Sequence, residues 1–263
     1  MARLDAELVV RGIARSRERA KEMISSGAVT VNGRTAKKPS VEVSESDDIV
    51  SAEQELYVGR GALKLEKAAE VFGIDFTGAV CMDIGASTGG FTEFMLLHGA
   101  LKVFAVDVGH GQLAESLCRD SRVVNMEGTD IRDITADDIG GCADIISADV
   151  SFISLTKILP KAAELLKNGG CAAVLIKPQF EAGRSDIGKR GIVKDRKVHQ
   201  RVLSEIDMFS RSLGLFPAAY TYSPVKGGSG NIEYLVKLVK GSVPAESPVQ
   251  DFRGLVDEAF GNL

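Results

Sequence analysis

The chain has 263 residues, a formal net charge of -4 and a hydrophobic content of 44%, enough to bury a full core and to hold one α/β domain plus something smaller. No apolar run approaches the roughly 20 residues needed to cross a bilayer, so a membrane-inserted toxin is disfavoured. The acidic balance argues against indiscriminate nucleic-acid binding, although it can hide local basic clusters.

The opening stretch, MARLDAELVVRG, carries charges inside its apolar part and has no small-residue cleavage site, which gives the expectation of a cytoplasmic chain. Cys81, Cys118, Cys142 and Cys171 lack C-x-x-C spacing and only three histidines are present. Neither a metal site nor a disulfide framework is indicated, and all four cysteines read as small buried or half-buried apolar residues.

Residues 1–52 read as a separate module. Leu4, Leu8 and Val9 give an amphipathic turn or two that Gly12 breaks. Ser16 caps a second helix with Ala20, Met23 and Ile24 on one face, and Gly27 stops it. Asn32-Gly33 between short strand-like segments is a strong hairpin signal. From Arg11 to Lys38 there are eight basic residues (Arg11, Arg15, Arg17, Arg19, Lys21, Arg34, Lys37, Lys38) against Glu18 and Glu22. Such a cluster is either a solvated face or a track for a phosphate backbone. Residues 53–60 read as a linker.

The next part, 61–241, alternates. A helix runs to Phe72 with Leu65, Ala68 and Ala69 on its inner face, Lys64 off that stripe, and Gly73 as its stop. Strands are expected near 80–84, 102–107, 122–126, 144–148 and 171–177, a long helix over about 197–213, and then Ala218–Tyr222 and Ile232–Val239 joined by a glycine-rich loop, which makes them antiparallel. Alternating β and α at this spacing implies a mainly parallel sheet covered on both faces, here closed by one antiparallel strand, the architecture of class I methyltransferases. Residues 242–263 read as a tail or helix, with Val249, Phe252, Val256 and Phe260 at near-helical spacing.

The stretch Val80–Thr92, VCMDIGASTGGFT, is a strand, a glycine turn and a helix start. Gly85 frees the backbone past the strand; Gly89 and Gly90 allow close approach to a ligand and open a helix with free N–H groups. The spacing differs from the dinucleotide fingerprint and no Gly-Lys-Ser/Thr follows. Asp107 ends the second strand, placed to accept from both hydroxyls of a ribose, and together these features point to S-adenosylmethionine. Asp83, Gly85, Ala86, Ser87, Thr88, Gly89, Gly90 and Phe91 would face the methionine end and Asp130 the adenine amino group, unless Asp130 simply caps the next segment. Asp149 and Lys177 stand at the carboxyl ends of their strands, and Glu233 begins the final strand, which runs backwards and so starts at that same edge, within reach of Lys64.

Two resemblances follow. L-D-x-x-L, S-R-x-x-A, I-x-x-G, V-x-V-N-G and K-x-P resemble the S-four-type RNA-binding module. D-I-G-A-S-T-G-G-F-T, A-D-V-S-F-I-S-L, L-I-K-P-Q-F-E and S-G-N-I-E-Y resemble FtsJ-like ribose 2′-O-methyltransferases, and the combination resembles the TlyA (hemolysin A) family of rRNA 2′-O-methyltransferases. The resemblance implies a Lys64-Asp149-Lys177-Glu233 catalytic tetrad, S-adenosylmethionine as cofactor, and ribosomal RNA or ribosomal subunits as partner. Gly59 stands where the family pattern has Ser before Arg60-Gly61. A ribose hydroxyl needs a base and alignment; Lys177 is the candidate base, with the carboxylates orienting the amines. Arg11, Arg15, Arg17, Arg19, Lys37, Lys38 and Arg60 are expected to touch RNA, as are Lys189 and Arg190 in a loop rich in basic residues. Base flipping is expected if the target lies in a duplex.

Rival readings are weaker. A cytosine-C5 enzyme needs a cysteine at the ligand edge, whereas Cys142 and Cys171 fall at the opposite one; an amino-group enzyme needs Asp/Asn-Pro-Pro-aromatic, where this chain has Asp149-Val-Ser-Phe152. A noncatalytic ribosome-assembly factor remains as the alternative from another class.

Overall fold

The computed structural model describes residues 2–14, 17–51, 57–241 and 252–263 and divides into two compact units, Met1–Val58 and Gly59–Leu263. Arg15, the expected cap Ser16, linker positions 53–56, the tail stretch 242–251 and Val249 within it lie outside the described residues.

The first unit runs β1 (Ala2–Arg3), α1 (Leu4–Val10), α2 (Arg17–Ser25), β2 (Val29–Val31), β3 (Arg34–Thr35), β4 (Glu42–Val43) and β5 (Ile49–Ser51). Leu4 and Leu8 of α1 meet Ala20, Met23 and Ile24 of α2 in a small core that also takes Val29. The β2–β3 hairpin turns through Asn32 (φ 49°) and Gly33 (φ 74°). Both residues have the positive φ that a two-residue turn matched to strand twist requires.

The second unit continues with α3 (Ala62–Phe72), β6 (Val80–Ile84), α4 (Gly90–Leu97), β7 (Lys102–Asp107), α5 (Glu115–Cys118), β8 (Val123–Glu127), β9 (Ala143–Ala148), α6 (Leu159–Leu165), β10 (Leu166–Ile176), α7 (Pro178–Glu181), α8 (Arg196–Ser212), β11 (Leu215–Tyr222), β12 (Tyr234–Lys240) and α9 (Phe252–Asn262). They build a seven-stranded sheet of order β11-β12-β10-β9-β6-β7-β8. β12 is antiparallel to both neighbours, while β10, β9, β6, β7 and β8 pair in parallel. The apolar runs of β6, β7, β9 and β10 are buried on both faces, as a parallel sheet sandwiched by helices demands. β6 has β7 on one side and β9 on the other, so the strand order reverses there and a crevice opens beyond the strand ends.

Several boundaries depart from the sequence reading. β10 begins at Leu166, ahead of the expected 171, because Asn168-Gly169-Gly170 bends the strand through a register irregularity without ending its pairing to β9. β11 begins at Leu215 and carries Pro217 inside it; as an edge strand with an irregularity between Pro217 and Ala219 it tolerates the missing N–H. β12 starts at Tyr234, so Glu233 sits one residue before it. Cys118 is exposed at the end of a short helix, contrary to the expectation that every cysteine is covered. α9 closes the chain against α8 and β11, with Val256 and Ala259 fully buried in the main core and the Phe252 ring 5.1 Å from that of Tyr220. Among the described residues no helix is long and apolar enough to cross a membrane.

Candidate active site

Four ionisable side chains from separate elements meet beyond the carboxyl ends of the strands. Asp149 follows β9, its N–H bonded to the carbonyl of Ile84 at the end of β6. Lys177 follows β10, where Pro178 ends the strand by opening α7. Glu233 precedes β12 and its carbonyl accepts from Ser223 N–H. Lys64 lies in the first turn of α3, buried. Lys64 Nζ donates to Glu233 Oε2 at 2.8 Å and to Asp149 Oδ2 at 3.2 Å; Lys177 Nζ lies 2.6 Å from Asp149 Oδ1 and donates to Ser151 Oγ at 2.8 Å. The result is a row of alternating charge, Glu233, Lys64, Asp149, Lys177. Burial opposes both charged forms at its centre, yet the neighbours prevail: Asp149 and Glu233 raise the Lys64 ammonium above its ordinary value, and Lys64 and Lys177 hold the Asp149 carboxyl below its own.

Lys64, Asp149 and Lys177 line a cleft with two lobes, with Glu233 buried behind them. One, of about 330 Å³, is lined by Lys64, Asp149, Lys177, Ser151 and the turn residues Gly85 to Thr88, with Gly90 and Phe91. The other, of about 400 Å³, is lined by Val106, Asp107, Asp130, Ile131, Phe152 and Ile158 among others, and shares Gly85, Ser87, Asp149 and Ser151 with the first. Both volumes are of the size that small-ligand sites occupy. Asp107 Oδ2 accepts from Ser87 N–H and Oδ1 from Gly109 N–H, each at 2.8 Å. Each oxygen retains a second lone pair, so the fixed carboxylate can also receive ribose hydroxyls. An acidic group, an apolar wall and a glycine turn in one concavity fit a cofactor bearing a nucleoside.

Other expected contacts need correction. Asp83 lines neither lobe: it is fully buried beneath the turn, accepting from Thr92 Oγ1 at 2.8 Å and Ser147 Oγ at 3.0 Å, and burial pushes its carboxyl up to about 7. Gly89 also lines neither lobe. A Cβ there would sit 2.2 Å from Leu117 Cδ1, and one at Gly85 would sit 2.6 Å from the Asp149 carbonyl oxygen. The glycines thus admit close packing of the protein on itself as much as close approach of a ligand. Asp130 lines the apolar lobe, yet its carboxylate caps the next turn through Arg132 N–H at 2.9 Å and pairs with the Arg132 guanidinium, which holds it down at about 2. Cys171 lies with Asp144 and Lys167 in a separate depression away from the row.

Residues 57–240 match the FtsJ-like methyltransferase family and residues 2–49 the S4 domain. The 16S/23S rRNA (cytidine-2′-O)-methyltransferase TlyA of Mycobacterium tuberculosis is 44% identical over 90% of this chain and 89% of its own. The chain belongs to the TlyA family of rRNA methyltransferases. Hemolysin A of Brachyspira hyodysenteriae is 41% identical over 90% of this chain and 99% of its own. A solved structure from Streptococcus thermophilus, described as a hemolysin, has a TM-score of 0.80 at 40% identity over 99% of this chain and 96% of that one.

In this TlyA-family chain the basic positions fall into two groups. Arg11 turns inward: it pairs with Glu7 and donates to the carbonyls of Asp47, Ser44 and Glu45, so it fastens the β4–β5 loop instead of presenting its guanidinium outward. Arg17 pairs with the buried Asp5 and Arg19 with Glu22. Lys37, Lys38, Arg60, Lys189 and Arg190 are exposed, and Arg60 also lines the tetrad lobe. The sequence reading missed Ser151, Val225, Lys226, Gly227 and Gly228, all of which line that lobe. The signal for Ser151 was its place two residues after Asp149 in the motif already singled out; Lys226 sits in a loop whose path no periodicity fixes. Phe152 was also missed as a site residue. It is 91% exposed at the rim of the apolar lobe, holds φ 64°, and packs on Phe180 at 5.1 Å.

Proposed function

We propose that the chain transfers a methyl group from S-adenosylmethionine to the ribose 2′-hydroxyl of a cytidine in ribosomal RNA. The row Glu233, Lys64, Asp149, Lys177, whose last three members line the cleft, carries this reading, because a ribose hydroxyl is a weak nucleophile that needs a proton acceptor and fixed alignment. When bound, the cofactor supplies a methyl group on a positively charged sulfur. Asp107 would hold its ribose, the apolar lobe with Asp130 its base, and Gly85 to Thr88, with Gly90 and Phe91, its methionine end.

Lys177 is assigned the proton-accepting role. It is engaged by one carboxylate where Lys64 is engaged by two. Lys64, locked between Glu233 and Asp149, stays an ammonium and orients both acids. Ser151 steadies Lys177 Nζ from the other side. Fixing two reactants in one cleft can by itself contribute about 7 to 11 kcal/mol to lowering a barrier. Phe152 offers an exposed ring on which an unstacked base can rest.

The test incubates the protein with labelled S-adenosylmethionine and ribosomal subunits and maps ribose methylation in each rRNA. One 2′-O-methylcytidine that disappears with Lys177→Ala, while cofactor binding persists, is the expected result. Cofactor binding with no transfer to either subunit would sink the reading.

A further inference from the structure

The loop after α7 ends in a tight turn, Gly188-Lys189-Arg190-Gly191, closed by Gly191 N–H to the Gly188 carbonyl at 2.8 Å, with Gly191 at φ 74°. The turn puts Lys189 and Arg190 at its exposed tip. What holds it comes from far along the chain. Asn231, only 1% exposed, donates through Nδ2 to the Gly191 carbonyl at 2.8 Å and accepts at Oδ1 from Val193 N–H at 3.0 Å. Its own carbonyl accepts from Gly227 N–H at 2.9 Å, fixing the loop that lines the tetrad lobe. The carbonyl of Val193 lies 3.0 Å from His199 Nε2, and His199 Nδ1 lies 2.8 Å from the Tyr234 hydroxyl. Val193 is therefore gripped on both its backbone groups, by Asn231 and, through His199, by Tyr234. Between those two residues in the chain stands Glu233.

From this arrangement, and resting on the methyl-transfer reading above, we infer that Asn231 is a positioning residue that locks the Lys189-Arg190 turn to the segment bearing Glu233, so that RNA seated on the turn is held in register with the tetrad. The side chain suits the task because it must donate to one backbone group and accept from another: an amide does so with two separate atoms, an ionised carboxylate has no donor, and a Ser or Thr hydroxyl has only one atom, closer to its own backbone. Asn231 does not touch the reacting atoms; it acts through the turn. Its loss leaves a buried N–H and a carbonyl unpaired, which frees the turn without removing a charge.

The experiment is a double-mutant cycle on the full chain with subunits from a strain lacking the enzyme. Asn231→Ala is crossed with the pair Lys189→Ala and Arg190→Ala. Asn231→Asp is the near-isosteric second variant; it keeps the acceptor for Val193 N–H and sets an oxygen against the Gly191 carbonyl. The expected result is a rise in KM for subunits on the order of tenfold in each single arm. The combined variant should be little worse than the worse arm, with cofactor affinity close to the parent in both Asn231 variants even where the buried carboxylate of Asn231→Asp lowers the melting temperature. Independent, multiplying effects on KM would overturn the inference. So would a joint fall of cofactor affinity and melting temperature in both Asn231 variants, which marks a general structural role. Parent protein that binds subunits but transfers no methyl group would end the methyl-transfer reading instead, while subunit binding read across the same cycle still decides the coupling.

Discussion

Lys64 is the residue on which the row depends. Its ammonium serves two carboxylates, and Glu233 is almost wholly buried with no other cation paired to it among the described residues. Lys64→Met should therefore cost about 3 to 5 kcal/mol in urea unfolding, the usual effect of stranding a buried charge, as well as turnover. Lys177→Met should cost less stability, because Asp149 keeps Lys64. Asp83 makes a pH prediction. Burial raises its carboxyl to about 7, against the pull of the Thr92 and Ser147 hydroxyls, so the folded chain keeps a proton that the unfolded chain releases near 3.9. Its contribution is full below that lower value and is lost as pH rises through about 7. Urea midpoints should thus decline across that window, and Asp83→Asn should flatten the decline. Phe152 is held in a left-handed conformation that disfavours its Cβ. Phe152→Gly should raise stability by roughly 0.5 to 1 kcal/mol and lower kcat/KM on subunits by about tenfold, a trade measured by unfolding and methyl transfer side by side.

At the scale of elements, the C-terminal helix α9 is part of the fold and not an appendage. Val256 and Ala259 are buried, and the Phe260 ring lies 5.0 Å from that of His199. Val256→Ala should lower unfolding free energy by about 2 kcal/mol, read from urea denaturation. The same region shows what a sequence discloses. Spacing of apolar residues marked α9, α8 and the parallel strands, because period is a local property. Asp149, Lys177 and Glu233 were legible for a related reason: once the strands are placed in one sheet, the carboxyl ends of the parallel strands and the start of the antiparallel one must share an edge. Asn231 was not legible as a clamp, since its partners Gly191 and Val193 lie in a loop with no period. Nor was the inward turn of Arg11, whose acceptors are the backbone carbonyls of Ser44, Glu45 and Asp47. A guanidinium spent on the protein and one offered to RNA look alike in a count of charges.

For the whole molecule, a net charge of -4 places the burden of RNA attraction on a few exposed cations. Subunit affinity should fall steeply with salt, and replacing both Lys189 and Arg190 by Ala should reduce the slope of log affinity against log salt by about 1.5, as measured by titration at several salt concentrations. Substitution of Arg11 should leave that slope nearly unchanged and lower the stability of the first unit instead.

With its four members ionised the row sums to zero; with Lys177 as a free amine it sums to minus one. In the proposed transfer, set against a methyl donor that carries one positive charge, the second form would be its counter-ion, and a proton taken by Lys177 from the ribose would discharge the row just as the donor gives up its own charge. Row and donor together then sum to zero before and after transfer, so the step itself calls for no ion to enter or leave a space where moving charge is costly. Once RNA and donor are both bound, the rate of the chemical step should be indifferent to ionic strength, even though binding is not.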